Sequence, residues 1–420
     1  MDPLRTPPAP IFDNLERLSN PFQRKYFSVA EFFGGTPVVG AEIDYEYAWK
    51  FIYSYNGSSA TFSAYRREVE RLLQWSWRVC GKSICNLKRE DIEEFIAFSH
   101  KPPQPWIGTK NVARFTDKDG ERIRNPEWRP FVASVSKVEH RAGLEPARKQ
   151  FSLSPAATKA IFAILSSFYN YLIEVRVLEA NPISAIRQKS KFLKKQQHRA
   201  PVRRISNLQW DYVIETAENM ADEIPESHER TLFIMNCLYA MYLRISELVA
   251  DERSTPVMGD FRKDMDGNWW FHVTGKGNKS RIVTVSIAML KALKRYRKFL
   301  DLSALPSPDD KTPLVGKVLG QGSITSTRKV RYIVQQCFDT AFERMRTDGL
   351  EEDAAELKAA TVHWLRHTGI SEDVKIRPRE HVRDDAGHSS MQTTDRYIES
   401  ELRERHASGK HKPIKEFDGN

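Results

Sequence analysis

Several polar residues in the C-terminal half of the chain have side chains that can bind an anion. His363 and Arg366 are three residues apart and share one face if this stretch is helical, where they could bind an anion or cap a core. Arg244 stands at the end of an apolar helical stretch, where an arginine often pairs with an acid such as Glu247 at i+3. Lys276 lies in a turn between two predicted strands, where a lysine is usually just solvated. Taken singly, none of these residues establishes a function.

Two more residues of interest follow towards the C-terminus. Gly387-His388 could be a turn with a surface histidine, and Tyr397 could simply pack in a core. The order of residue types is more informative: an arginine, a lysine, a histidine three residues before an arginine, a glycine-histidine pair and a tyrosine. The series combines cations that can hold an anion with a hydroxyl that can act as a nucleophile.

This ordered series resembles the tyrosine recombinase (phage integrase) family of site-specific recombinases. Residues 386–397 resemble the family's Gly-His-Ser-Ser stretch, Thr-Thr pair and nucleophilic tyrosine, at the same spacing. Residues 363–367 match its His-x-Leu-Arg-His box, and residues 243–248 match its first arginine box. The turn at Lys276 matches its β-hairpin lysine. The resemblance is close over residues 206–400 and looser in the N-terminal part.

The resemblance implies that Tyr397 attacks a DNA phosphodiester. It would form a 3′-phosphotyrosine link that conserves the bond energy, so that rejoining requires neither ATP nor a metal or other cofactor. Arg244 and Arg366 would hold the phosphate, because a guanidinium stays charged and donates two hydrogen bonds. Preorganised cations of this kind stabilise the extra negative charge that develops in the transition state.

The resemblance also implies roles for the other residues. Lys276 would be the general acid that protonates the leaving 5′ oxygen. His363 and His388 would hydrogen-bond the phosphate, and His363 is also a candidate to take the tyrosine proton. Glu247 would support the first arginine box rather than act on the phosphate.

The chain departs from the family pattern in two places. The family commonly has Thr-Gly before the first Leu-Arg, whereas this chain has Met241-Tyr242. The stretch between Arg244 and Lys276 is also a little long, which fits an enlarged entry to the hairpin at residues 251–256. Neither departure removes a predicted catalytic group.

Two other functions compete with site-specific recombination. One is a catalytically silent DNA-binding architectural protein on the same scaffold, and the other is a type IB topoisomerase. The recombinase reading implies double-stranded DNA with inverted-repeat core sites, a homotetramer on two sites and a possible accessory protein. Integration, excision and resolution of a mobile element such as a transposon, or of a replicon, all stay open.

The elements that must position these residues are predicted to be mainly α-helical, with a small antiparallel β-sheet in the catalytic domain. Apolar residues such as Phe51, Leu72 and Leu165 recur at helical spacing in the N-terminal part. Strands are predicted at 260–262, 269–274 and 281–286, with turns at Asp266-Gly267 and Gly277-Asn278. By resemblance, an N-terminal helical core-binding domain and a C-terminal catalytic domain form a clamp around DNA.

The domain limits follow from changes in composition. We predict an N-terminal arm or cap at 1–40, a helical core-binding domain at 41–184, a basic linker at 185–205, a catalytic domain at 206–400 and a tail at 401–420. Residues 100–154 are rich in Pro, Gly and charge and are read as an insertion or long loop. Its Trp106, Trp128 and Arg129 are candidates for DNA or protein contacts.

The predicted linker is strongly basic. It could lie along DNA phosphates, or it could be a solvated flexible segment. Its candidate DNA-binding residues are Arg187, Lys189, Lys191, Lys194, Lys195, Arg203 and Arg204.

The overall composition agrees with an intracellular protein that binds a polyanion. The 420 residues carry a formal net charge of +10, although a merely basic surface gives the same number. The four cysteines have neither disulfide-framework nor zinc-ligand spacing, so no metal is predicted. No signal peptide is visible, and the longest apolar stretch, near 231–243, is too short to span a membrane. We expect a cytoplasmic, nucleoid-associated and bacterial protein.

Overall fold

The computed structural model describes residues 4–18, 38–187, 203–275, 280–317, 319–395, 397 and 409–410. The chain divides into two compact units, residues 1–198 and 199–420. The described residues are mainly helical, with two two-stranded sheets and one three-stranded sheet. The predicted fold class, mainly α with a small antiparallel sheet, is confirmed.

The N-terminal unit is built from helices whose apolar faces meet in one core. Ser58 and Ser154 begin two of the longer helices, because each hydroxyl accepts a hydrogen bond from a backbone N–H three residues later. Phe51, Leu72 and Leu165, taken from the predicted apolar stripes, are buried. The helices are Leu15–Leu18, Ala41–Tyr53, Ser59–Trp75, Arg89–His100, Lys137–Arg141, Pro155–Glu174 and Ser184–Arg187, with a π-helical turn at Ser76–Cys80 and 3₁₀ turns at Ile84–Asn86, Gln104–Trp106 and Arg148–Gln150.

The first described residues are packed against this core. The buried Glu70 accepts hydrogen bonds from the backbone N–H groups of Ile11 and Phe12, at 3.1 and 3.3 Å. The Phe12 side chain is fully buried and stacks on Tyr45. Proline-rich composition suggested an arm or cap here, and a buried carboxylate and an aromatic anchor hold Ile11 and Phe12 against the core.

The predicted insertion at 100–154 is folded. It contains the parallel pair Ile107–Gly108 with Phe131–Val132 and the antiparallel hairpin Phe115–Lys118 with Glu121–Arg124. Trp106 and Trp128 are 0% and 6% exposed, so the expectation that they contact DNA or protein is wrong: both stabilise the insertion itself.

One helix of the N-terminal unit, Pro155–Glu174, is long and apolar enough to span a membrane by length and composition alone. It is therefore a longer apolar element than the stretch near 231–243 singled out from the sequence. Its Phe162, Phe168 and Leu172 pack in the core of the unit.

The C-terminal unit surrounds a small sheet with helices. Strands Phe261–Lys263, Trp269–Thr274 and Ser280–Thr284 pair antiparallel in chain order, close to the predicted positions. Gly267, with φ of 89°, makes the first turn as predicted. The helices are Asn207–Glu223, Pro225–Ala240, Ile287–Phe299, Thr327–Thr347, Glu351–Lys358, Val362–Ile376, Arg379–Ala386 and Met391–Asp395, with 3₁₀ turns at Ile245–Glu247 and Met258–Asp260.

Candidate active site

Arg244 lies beyond the buried helix Pro225–Ala240, not at its end as the sequence suggested. The chain leaves the helix at Met241 and Tyr242, and Arg244 precedes a 3₁₀ turn. Its backbone N–H donates to Glu247 Oε2 at 2.8 Å, and its Nη1 donates to Oε1 at 3.0 Å. The predicted i+3 pair is therefore confirmed, and it fixes the guanidinium at the surface of the unit with 32% of the side chain exposed.

Tyr242 explains the departure from the family's Thr-Gly pair. Its φ is 50°, a left-handed conformation that glycine adopts without steric cost and a tyrosine does not. The buried hydroxyl donates to Asp373 and accepts a hydrogen bond from Arg377 Nη1 at 3.0 Å. Burial, and then the Asp373 carboxylate, raise the pKa of this hydroxyl far above its ordinary value. The aromatic anchor thus offsets the backbone strain.

A buried ion pair joins the Arg244 turn to the sheet. Both Arg281 terminal nitrogens donate to the Glu247 carboxylate, Nη1 to Oε1 and Nη2 to Oε2, each at 2.8 Å. Glu247 is 4% exposed. Burial acts to raise the pKa of Glu247, but the hydrogen bonds and charge of Arg281, with those of Arg244, leave it below its ordinary value. Glu247 is therefore ionised at neutral pH.

Asp385 ties the same strand to the segment that carries Gly387 and His388. Its Oδ1 accepts from the Thr284 backbone N–H at 3.1 Å, and its Oδ2 accepts from Arg377 Nη2 at 2.6 Å. Strand Ser280–Thr284 follows the turn that contains Lys276, so these contacts anchor one arm of that hairpin.

Arg366 is the buried cation of the site. It lies on the helix Val362–Ile376, hereafter the Arg366 helix, and is 5% exposed. Its Nη1 donates to the Tyr242 carbonyl and its Nη2 to the Ala386 carbonyl. Burial, and then the charge of Arg244, lower the pKa of Arg366 to about 10, so it stays charged at neutral pH.

Three arginines converge on three consecutive backbone carbonyls. Arg281 Nε donates to the Asp385 carbonyl at 2.9 Å, Arg366 Nη2 to that of Ala386, and Arg244 Nη2 to that of Gly387 at 3.2 Å. Gly387 has a φ of 62°, and a Cβ there would lie 2.8 Å from Arg281 Cδ. Only glycine allows this approach.

His388 completes the group. Its Nδ1 lies 2.9 Å from the buried Thr394 Oγ1, and its Nε2 lies 3.4 Å from Arg366 Nη2. Burial, and then the charges of Arg366 and Arg244, lower its pKa to about 4. His388 is therefore neutral at physiological pH, with Nδ1–H as the donor to Thr394 and Nε2 as the acceptor.

Tyr397 is held in this cluster by three contacts. Its backbone N–H donates to the Thr394 carbonyl at 2.9 Å. Its ring stacks on His388, with centroids 5.7 Å apart and planes at 14°. Its hydroxyl lies 2.7 Å from Nδ1 of His367. The structure thus brings Arg244, Glu247, Arg366, His388 and Tyr397 together.

His363 stands at the edge of the group. It lies one turn before His367 on the Arg366 helix, is exposed, and has its ring centroid 6.5 Å from that of His367. Partial burial, and then the charges of Arg331 and Arg366, lower its pKa. His367, not His363, contacts the tyrosine hydroxyl.

Several predicted residues lie outside the described part of the chain. They are Lys276, Lys189, Lys191, Lys194 and Lys195, as are Gly277 and Asn278 of the predicted turn; for Arg187 only the backbone is described. Arg203 is exposed, and Arg204 Nη1 lies 3.4 Å from Glu372 Oε1.

Sequence reasoning missed three kinds of residue. His367 is the second histidine of the matched box at residues 363–367, so the box itself could have suggested it. Arg281 lies a few residues after Lys276, but nothing local marks it as the partner of Glu247. Asp385 and Arg377 act through contacts that helical spacing alone does not reveal.

The arrangement suits an anionic ligand with a reacting hydroxyl beside it. Arg244, Arg281 and Arg366 face a single buried carboxylate, Glu247, so the described cluster has an excess of positive charge. Among the described residues, no three His, Cys, Asp or Glu side chains are grouped as metal ligands.

Known proteins resemble this chain in amino-acid sequence, above all in the C-terminal unit, and in fold. Residues 209–404 match the model of the phage integrase family. A tyrosine recombinase XerC of Chlorobaculum parvum is 25% identical over 262 residues, 58% of this chain and 69% of that protein. A XerC of Corynebacterium glutamicum is 33% identical over 182 residues, 43% of this chain and 50% of that protein. A crystal structure of XerH site-specific recombinase bound to palindromic difH substrate, a post-cleavage complex, superposes with a TM-score of 0.54 at 13% identity, over 96% of this chain and 99% of that one.

Proposed function

Because this chain is a tyrosine recombinase of the phage integrase family, we propose that it cuts and rejoins duplex DNA through a 3′-phosphotyrosine link to Tyr397. The observation that supports this most is the position of Tyr397, whose ring stacks on His388. Its hydroxyl is hydrogen-bonded to Nδ1 of His367, the residue that follows Arg366. A nucleophile is thereby held at the edge of a cationic cluster.

The scissile phosphate would bind to Arg244 and Arg366. Arg244 is partly exposed and held by Glu247, so its guanidinium is already oriented before DNA arrives. Arg366 is buried and remains charged. Cations that need no reorganisation stabilise the extra charge of the five-coordinate transition state most effectively.

His388 would donate a hydrogen bond to the phosphate from Nε2, which requires that this nitrogen, an acceptor in the free protein, gains a proton when DNA binds. The charges of Arg366 and Arg244 contribute to its low pKa, and a phosphate bound between these arginines offsets them. The pKa of His388 therefore rises when DNA binds. His363, which is exposed one turn before His367 on the Arg366 helix, would also contact the phosphate.

Lys276 would supply the proton for the leaving 5′ oxygen. The strand that follows it is anchored by the Glu247–Arg281 pair and by Asp385. A lysine can donate a proton at the leaving oxygen in a way that the permanently charged arginines cannot.

The partner would be double-stranded DNA with inverted-repeat core sites. The XerH neighbour is described as bound to a palindromic difH substrate, and the basic residues from Arg187 to Arg204 would bind DNA phosphates. We further propose the predicted domain limits, a homotetramer on two sites, action in the cytoplasm, and a role in integration, excision or resolution of a mobile element or replicon.

The test begins by finding the DNA site. Purified Tyr397→Phe protein, which binds without cutting, selects duplexes from a pool with a randomised core of about two helical turns, long enough for two half-sites. Repeated selection and sequencing yield the preferred duplex. We expect an inverted repeat.

Covalent attachment is then measured on that duplex with a nick placed beside the expected cleavage position, so that the cut end diffuses away. Wild-type protein should form an adduct that survives denaturation, and peptide mass spectrometry should place the DNA on Tyr397. Tyr397→Phe should form none. Tyr212→Phe, which removes an exposed hydroxyl bonded to Asp348 in the same unit, serves as the matched control and should react normally. Specific binding without an adduct, or attachment to another residue, would refute the proposal.

Strand exchange separates recombination from simple relaxation. Two labelled duplexes with the selected site should exchange ends, whereas a topoisomerase relaxes supercoiled DNA without joining two sites. Relaxation alone would contradict site-specific recombination by this chain.

A further inference from the structure

The imidazole of His367 is in hydrogen-bond contact with the hydroxyl of Tyr397, the oxygen that would react. Its Nδ1 lies 2.7 Å from the hydroxyl, and the two ring centroids are 5.5 Å apart with planes at 40°. A phenol is the natural donor in such a pair, which makes Nδ1 the acceptor and places the ring proton on Nε2. We propose that His367 receives the proton of the Tyr397 hydroxyl when that oxygen attacks the DNA phosphate, an inference that rests on the proposed function.

The other two histidines of the site are less suited to this step. The edge of the His388 ring is engaged by Thr394 at Nδ1 and by Arg366 at Nε2, while its face stacks on Tyr397. Its nitrogens therefore point away from the hydroxyl. His363 is exposed one helical turn away.

The contact is held by a closed set of hydrogen bonds. Arg366 contacts His388, and His388 contacts the Thr394 hydroxyl. The Thr394 carbonyl accepts a hydrogen bond from the backbone N–H of Tyr397. The Tyr397 hydroxyl then returns to His367, the neighbour of Arg366 in the sequence. Because both ends of this set lie on the Arg366 helix, the nucleophile, its proton acceptor and the buried cation keep a common geometry.

The Tyr397 oxygen forms a bond to phosphorus while the bond from phosphorus to the 5′ oxygen breaks. The hydroxyl proton passes to Nδ1 of His367, and the 5′ oxygen takes a proton from a general acid, proposed above to be Lys276. In the rejoining reaction the 5′ hydroxyl attacks and both protons return. A base of this kind contributes on the order of 10²–10⁴ to the rate.

The test compares His367→Asn with the wild type on the nicked selected duplex. Asparagine places an amide near the position of Nδ1, so it can still hold the hydroxyl but cannot take a proton at neutral pH. We expect adduct formation to slow by about 10²-fold or more. Both proteins are then made with a multiply fluorinated tyrosine at position 397, whose phenol is already ionised at pH 8. With this nucleophile the two proteins should react within about tenfold of each other.

Two control variants make the result specific. His363→Asn removes a histidine one turn away that would contact the phosphate, so the fluorinated tyrosine should not restore its rate. His381→Asn changes an exposed histidine in the same unit and should react like the wild type. Circular dichroism checks that each variant is folded.

The inference is overturned if His367→Asn forms the adduct within about threefold of the wild-type rate, well short of a base effect. It is also overturned if a slowed His367→Asn does not recover with the fluorinated nucleophile, because His367 would then act on packing alone. Absence of any adduct with wild-type protein would instead refute the proposed function.

Discussion

The buried carboxylate of Glu247 gives the sharpest prediction about how the site is held together. Glu247→Gln keeps the size of the side chain and removes only its charge and one acceptor oxygen. We expect this change to destabilise the C-terminal unit by about 3–5 kcal/mol, the usual cost of breaking a buried ion pair.

The magnitude follows from the contacts that are lost. Glu247 accepts four hydrogen bonds, two from Arg281 at 2.8 Å, one from the Arg244 backbone at 2.8 Å and one from Arg244 Nη1 at 3.0 Å. A glutamine can satisfy the donors at one oxygen, but its NH₂ group then faces the donors at the other position. Arg281, with 11% of its side chain exposed, is left charged without a carboxylate. Leaving a buried charge unpaired accounts for most of the expected loss.

Two measurements report the loss of the Glu247–Arg281 ion pair, one for the whole protein and one for the strand that carries Arg281. Urea unfolding followed by circular dichroism gives the overall change. Hydrogen–deuterium exchange of the backbone amides in strand Ser280–Thr284 reports locally, because that strand carries Arg281. We expect both the unfolding midpoint and the protection of this strand to fall.

The pH dependence provides a second check with a definite sign. The pKa of Glu247 in the folded protein lies below its ordinary value, so its contribution is complete above the ordinary carboxyl pKa and is lost as pH falls through the folded value. The difference between wild type and Glu247→Gln should therefore be constant from neutral pH to about pH 5 and shrink below about pH 4. Glu218→Gln, at an exposed position of the same unit, is the matched control and should change stability by less than about 0.5 kcal/mol. A loss of less than about 1 kcal/mol in Glu247→Gln would refute the reasoning.

Three further predictions concern neighbouring residues. Arg366→Lys should slow adduct formation on the nicked duplex more than tenfold, about 1.4 kcal/mol of barrier, because lysine lacks the guanidinium fork; a smaller effect would count against a phosphate clamp. Tyr242→Phe should lower the free energy of unfolding by about 1–3 kcal/mol in urea titrations, because Asp373 and Arg377 lose a buried hydroxyl partner. The imidazole of His388 should titrate near pH 4 in ¹⁵N NMR spectra of the free protein, and bound DNA should raise its midpoint; a free-protein midpoint near 6.5 would contradict the effect ascribed to burial and the two arginines.

Local patterns carried much of the fold and part of the site. Helical spacing placed Phe51, Leu72 and Leu165 in the N-terminal core, since burial of one helix face repeats every three to four residues. The matched boxes identified Arg244, Arg366, His388 and Tyr397, which the structure brings together.

What the sequence did not reveal depends on contacts between distant segments. His367 meets a hydroxyl thirty residues away, and Arg281 binds Glu247, which is thirty-four residues earlier in the chain. At the proline-rich start of the chain, composition left both an arm and a cap open, because it does not show that Glu70 binds the backbone of this segment. Trp106 was taken for a contact residue for the same reason, because the sequence around an aromatic residue in a polar segment does not show which distant residues will bury it.

The close approach of Arg281 to Gly387 limits which residues can stand at position 387. A side chain at position 387 would need both a left-handed backbone and space that Arg281 already fills, so position 387 should accept only glycine while Arg281 is present. A library of engineered variants should therefore keep glycine at position 387 wherever it keeps Arg281. Diversity intended to alter DNA choice is better placed in exposed positions of the chain, where a substitution does not also disturb the cleavage site.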